Sequence, residues 1–303
     1  MLIEIEVMML VLIFVSSFLC SASSYKPVVL VHGVFGSAAE EFANTFEKWI
    51  PHEHPNTTLY PINLYEDVTS IVPMWTQITN IRQRVASIMA RHAQGIHFLC
   101  YSQGGLLCRG VLSSMDHNVD TFISLSSPQA GQYGIPDIWK KHIGFPCLKS
   151  SMYKCLVFFF KHRILYKKFT QKILSIANYW NDPHHQPLYR KYSEFLAPLD
   201  GTTVTPNLTE FKKNFLKLRK IVLIGGPQDE VIKPWQSSHF GFFDEKENIV
   251  EMKKQKFFLD DDFGLRTLYN QERVSTFTFR GLRHSDWYTN RTVFNKSILP
   301  FLT

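Results

Sequence analysis

Hydrophobic positions along this chain fall into two alternating periods. Val28, Val29, Leu30 and Val31 form a continuous, largely β-branched run that stops at His32-Gly33, as expected of a strand buried on both faces. Residues 59–65 offer a second strand. Over residues 75–92 the period changes: Trp75, Ile78, Ile81, Val85, Ile88 and Met89 recur at helical spacing, and Gly95 follows as a stop. A strand over 96–101, a helix over 103–115 and a strand over 122–125 come next. This alternation predicts an α/β protein whose mostly parallel sheet is covered by helices. From Gln132 to Phe215 the alternation gives way to an aromatic, loop-rich and helical stretch. The strand pattern resumes at 221–224, running into Gly225-Gly226, and again at 274–279 before Gly281. Residues 25–303 therefore read as one domain with a lid insertion over 132–215.

The N-terminus departs from both periods. An apolar run over residues 7–19 ends in the small residues Cys20-Ser21-Ala22, the pattern of a secretory leader covering residues 1–24. It falls short of the roughly 20 residues needed to cross a bilayer. Once Cys20 leaves with it, Cys100, Cys108, Cys147 and Cys155 remain, an even set suited to an oxidising compartment. Spacing suggests Cys100 with Cys108 and Cys147 with Cys155, among three possible connectivities. Asn-X-Ser/Thr sequons at Asn56, Asn207, Asn290 and Asn295 point the same way, to a glycoprotein that is secreted or delivered to the lysosome.

At 303 residues and 45% hydrophobic, the chain can bury a large core. Its formal charge of +7 rises to +9 without Glu4 and Glu6 of the leader. A basic balance invites nucleic acid, but no zinc spacing, recognition helix or RNA-binding aromatic motif accompanies it, so no nucleic-acid partner is expected. Much of the excess lies in the insertion, where Lys149, Lys154, Lys161, Arg163, Lys167 and Lys168 occur without an acid among them and alternate with aromatic residues. Either this is a helix with one solvated face, or it touches an acyl chain or an anionic head group.

Ser102 stands where the strand over 96–101 meets the helix that starts at 103, with Gly104 and Gly105 behind it. An isolated serine there is an ordinary helix cap. With the strand, the glycines and the helix in place, Cys100-Tyr101-Ser102-Gln103-Gly104 reads instead as a nucleophile elbow, with Cys100 in the position of the first glycine of G-x-S-x-G. A serine hydroxyl needs a histidine base, and that base needs a carboxylate to orient it. In chain order Ser, Asp, His, the candidates after late strands are Asp229 and His284, with Glu230 and Asp286 as weaker competitors for the carboxylate. The backbone N–H groups of Val34 and Gln103 are placed to bind a tetrahedral oxyanion. His184 and His185 are adjacent and lack further spaced ligands, so no metal is expected, nor any other cofactor.

On these residues the chain resembles the palmitoyl-protein thioesterase family, particularly its second, lysosomal type. The stretches that carry the likeness are VVLVHGVFGS, CYSQGGLLCRGVLSSMDHNVDTFISLSSPQAGQYG, NYWNDPHHQPLY, FLKLRKIVLIGGPQDEVIKPWQSSHFGF and HSDWYTNRT, spread over nearly the whole chain after the leader. The resemblance implies an α/β-hydrolase fold, a triad carried on Ser102, Asp229 and His284, long-chain acyl thioesters as substrates and delivery to the lysosome. Ala177, Ser297 and residues 276–279 stand where the resemblance implies cysteines, so two bridges that it implies are not expected here. The basic insertion favours acyl-CoA over palmitoylated protein and invites transient contact with an anionic lipid surface. A lipase or carboxylesterase could use the same triad; a non-catalytic lipid-binding protein would have no need of all three residues.

Overall fold

The computed structural model describes residues 25–134 and 164–303. The expected leader over residues 1–24 and the expected Cys147–Cys155 pair lie outside the described residues, as do Lys149, Lys154, Lys161 and Arg163. In chain order the strands are β1 (Val28–Val31), β2 (Leu59–Pro61), β3 (Ile96–Tyr101), β4 (Val119–Leu125), β5 (Lys220–Gly225), β6 (Phe242–Phe243), β7 (Ile249–Val250) and β8 (Val274–Thr278). Six form one sheet in the order β2-β1-β3-β4-β5-β8, every neighbouring pair parallel. β6 and β7 make a separate antiparallel ribbon.

Burial on both faces explains the continuous apolar runs. Val29, Val31, Phe98 and Leu223 point to one face, where they meet α2 (Met74–Met89), α3 (Gln103–Ser114) and α4 (Leu208–Phe215). Val28, Leu30, Leu99 and Ile224 point to the other, against α1 (Glu41–Glu53) and the C-terminal Trp287, Phe294 and Ile298. Each such side chain contributes about 1.5–3 kcal/mol when taken out of water. The expected parallel α/β architecture is therefore the observed one, an α/β-hydrolase sheet with helices on both faces.

Element lengths differ from expectation where polar or imino residues intervene. β2 ends at Pro61, which has no N–H to donate, although Ile62 N–H still reaches Leu30 O at 2.9 Å. β4 begins earlier than expected, at Val119, because Asp120 is tied down by Lys26 at 2.8 Å and by Arg219 at 3.0 Å. α1 and the β6–β7 ribbon were not among the expected elements. Residues 164–199 form short helical turns packed over α2 and α3.

A buried ion pair just after these turns adds to the polar contacts that tie them to the core. Arg109, on α3, is wholly buried; it pairs with the buried Asp200 and donates to Gln129 O at 2.8 Å. Its guanidinium lies over Phe263 at 4.3 Å and Phe240 at 4.9 Å. Burial pushes the Asp200 carboxyl upward in pKa, and Arg109 opposes that shift.

Candidate active site

The C-terminal ends of β3, β4, β5 and β8 converge on one point, the usual place for a site in a parallel sheet. Ser102 occupies the turn between β3 and α3 at φ 54° and ψ −129°, a backbone conformation that costs a non-glycine residue about 1–3 kcal/mol. The turn closes only because residue 104 is glycine. A Cβ there would lie 2.4 Å from His32 O and 2.5 Å from Val31 O. Cys100 is accommodated by bonding to Cys108 across the start of α3, with 6.6 Å between their Cα atoms.

His284 opens a helical turn, His284–Trp287, after β8. Its Nε2 lies 3.0 Å from Ser102 Oγ and its Nδ1 2.8 Å from Asp229 Oδ2. Asp229 sits in the loop after β5, which Gly226 lets approach the end of β8: a Cβ on Gly226 would fall 1.9 Å from Phe279 O. The two competitors are occupied elsewhere. Glu230 accepts the backbone N–H of His284 at 3.1 Å, and Asp286 accepts that of Arg283 at 2.7 Å.

Burial alone would raise the Asp229 carboxyl. The facing His284 and hydrogen bonds from His284, Ser126 and Ile232 outweigh it and hold the group at about 2. Oδ1 accepts from Val231 N at 2.9 Å and Ile232 N at 3.0 Å, while Oδ2 also accepts Trp287 Nε1 at 2.7 Å and the Ser126 hydroxyl. Ser126 and Trp287 escaped the sequence reading. So did Tyr101, whose hydroxyl donates to His284 O at 2.8 Å and whose ring lies 4.9 Å from the imidazole. The signal for Ser126 was its place directly after β4, at the same end of the sheet as the other three residues.

The loop bearing Val34 passes over the nucleophile, since a Cβ on Gly33 would lie 2.9 Å from Ser102 Cβ. Gln103 is the first residue of α3, where N–H groups lack acceptors within the helix. Ser70 pins both sides of this arrangement. Its Oγ accepts Phe35 N–H at 2.7 Å; its carbonyl accepts Gln103 Nε2 at 2.8 Å and the Ser175 hydroxyl at 3.3 Å. The one Ser175 proton is shared with the nearer Gln103 Oε1, at 2.7 Å.

Elsewhere, His184 bonds to Glu247 at 2.8 Å and His185 to Asp182 at 2.7 Å. Asn56, Asn207 and Asn295 are exposed, whereas Asn290 is half-buried and caps a helical turn through Thr292 and Val293. Ala177 is wholly buried and Ser297 donates to Val293 O at 2.6 Å, so both positions are filled without sulfur.

The model of the palmitoyl protein thioesterase family matches residues 27–284, from the first strand to the histidine of this site. The chain belongs to that family. Among similar members is "Lysosomal thioesterase PPT2" of Bos taurus, 45% identical over 93% of this chain and 88% of that one. The Homo sapiens protein of the same name is 45% identical over 93% and 89%. "Lysosomal thioesterase PPT2 homolog" of Drosophila melanogaster is 38% identical over 99% of both. Among the described residues of this family member, no helix is long and apolar enough to cross a membrane.

Proposed function

We propose that the protein is a lysosomal serine hydrolase that releases long-chain fatty acids from thioesters. The hydrogen-bonded series Ser102–His284–Asp229 at a strained elbow carries this reading. Ser102 Oγ attacks the acyl carbonyl while His284 Nε2 takes its proton, and Asp229 holds the Nδ1–H. The resulting oxyanion is bound by the N–H groups of Val34 and Gln103. Collapse breaks the C–S bond, and His284 returns its proton to the departing sulfur. Water, activated by the same imidazole, then hydrolyses the Ser102 ester and frees the acid.

A thiol has a pKa near 8.5, far below an alcohol's, so the departing sulfur asks little of the general acid. The decisive experiment combines fluorophosphonate labelling with matched esters. A single adduct on the Ser102 peptide is expected, together with faster turnover of a palmitoyl thioester than of its oxygen counterpart. Equal or faster oxygen-ester turnover would assign a lipase or carboxylesterase. Labelling that leaves Ser102 unmodified would remove the mechanism.

Acyl-CoA is the favoured substrate over palmitoylated protein, with transient docking at an anionic lipid surface. Phe35, which bonds to Ser70, is exposed, as are Val68, two residues before Ser70, and Ile173, two before Ser175. Phe169 is 73% exposed, and Lys167, Lys168 and Lys172 stand exposed around it. Apolar side chains beside cations suit both an acyl chain and a phosphate-bearing head group. Raising ionic strength in detergent should increase the KM for palmitoyl-CoA much more than for an uncharged palmitoyl thioester. Replacing the three lysines with glutamine should abolish that difference. Equal salt dependence of the two substrates would defeat the preference and leave the triad standing.

A further inference from the structure

Asp229 Oδ2 receives more donors than the orientation of one imidazole requires. His284 Nδ1 at 2.8 Å, Trp287 Nε1 at 2.7 Å and the Ser126 hydroxyl converge on it. Ser126 is wholly buried and is held in the left-handed region at φ 43°, with its N–H bonded to Ile224 O at 2.8 Å. Its Oγ also lies 3.5 Å from His284 Nδ1. The hydroxyl has one proton to give. The carboxylate is nearer and charged, so the proton goes to Oδ2 and not toward the ring.

We propose that Ser126, together with Trp287, is a positioning residue that weakens Asp229 as an acceptor and so keeps the His284 base available in an acidic compartment. The inference rests on the lysosomal serine-hydrolase reading above. When His284 takes the Ser102 proton, Asp229 stabilises the resulting positive ring. The same attraction favours a ring that is already protonated before substrate arrives, and such a ring cannot act as a base. Each fixed donor on Oδ2 draws away part of the charge that holds the ring, which limits this idle protonation as pH falls.

The other groups around the ring do not replace that control. Glu230 is engaged with the His284 backbone N–H, and Asp286 with that of Arg283, whose own side chain is exposed. Tyr101 lies beside the ring with its hydroxyl on His284 O, and Tyr288 packs behind Tyr101 with centroids 5.0 Å apart. Ser102 is the only group on the Nε2 side among the described contacts of the ring.

The test is the pH dependence of kcat/KM for an uncharged palmitoyl thioester between pH 4 and pH 8, measured on the full chain and on Ser126→Ala, Ser126→Gly and Trp287→Phe. Each variant should move the acid limb upward by roughly half a pH unit, and the Ser126→Ala/Trp287→Phe double variant should move it further. Activity on that limb then falls about threefold beyond any loss on the plateau. Glycine relieves the left-handed strain that alanine keeps, so a purely structural defect would separate these two variants, whereas the lost hydroxyl shifts the limb equally in both. A loss that is the same at every pH, or a limb that moves downward, would overturn the inference. If instead the unaltered enzyme shows no Ser102-dependent hydrolysis at any pH, the fault lies with the serine-hydrolase reading itself.

Discussion

Ser102→Ala is expected to lower the turnover of a long-chain thioester by about 10⁴-fold or more, because a triad acts as a unit and the remaining groups have no nucleophile to activate. The protein should still fold. Alanine keeps the Cβ and the elbow conformation, so its thermal midpoint should stay close to that of the unaltered protein. Ser102→Gly should be equally inactive yet more stable by about 1 kcal/mol, since glycine adopts φ 54° and ψ −129° without the strain that serine bears. Steady-state kinetics with thermal unfolding on the two variants separates chemistry from strain. Turnover by Ser102→Ala within tenfold of the unaltered enzyme would exclude this serine as the nucleophile.

The buried pair Arg109–Asp200 gives the largest expected effect on stability, and the two halves of the pair should behave differently. Asp200→Leu strands a guanidinium that cannot lose its charge, at a cost of about 3–5 kcal/mol that hardly changes with pH. Arg109→Leu strands a carboxyl that can be neutralised. Its pKa is already raised by burial and loses the opposing pull of Arg109. Neutralisation costs about 1.4 kcal/mol for each pH unit above the unfolded value near 3.9. The penalty of Arg109→Leu should therefore be larger at pH 7 than near pH 4.5. Denaturant unfolding at the two pH values measures the contrast. If both variants lost the same stability at both values, Asp200 would not be the neutralisable member.

Much of the sheet was legible because its strands are buried on both faces. β1, β3 and β5 leave runs of apolar residues that no exposed segment would carry, and each lies between two parallel neighbours in the sheet. The start of β4 was hidden by Asp120, a charged residue whose partners Lys26 and Arg219 lie 94 residues before it and 99 residues after it. Likewise β2 was overestimated because its apolar pattern continues past the proline that ends its ladder. In the site, Ser102, Asp229 and His284 could be picked out because each follows a recognisable strand in a fixed order. Ser126 also follows a strand, β4, but falls outside that order of nucleophile, carboxylate and base. A serine after a strand is common, and what distinguishes this one is a carboxylate 103 residues further along the chain.

Ser70 has a bearing on how such enzymes can be recombined. Because one residue holds the Phe35 amide, the Gln103 side chain and Ser175 together, the segment around Ser175 is not an independent module that can be exchanged between relatives without disturbing the catalytic loop. A chimaera that takes residues 164–178 from another family member should transplant residues 67–71 with them, so that donor and acceptor surfaces keep their native match.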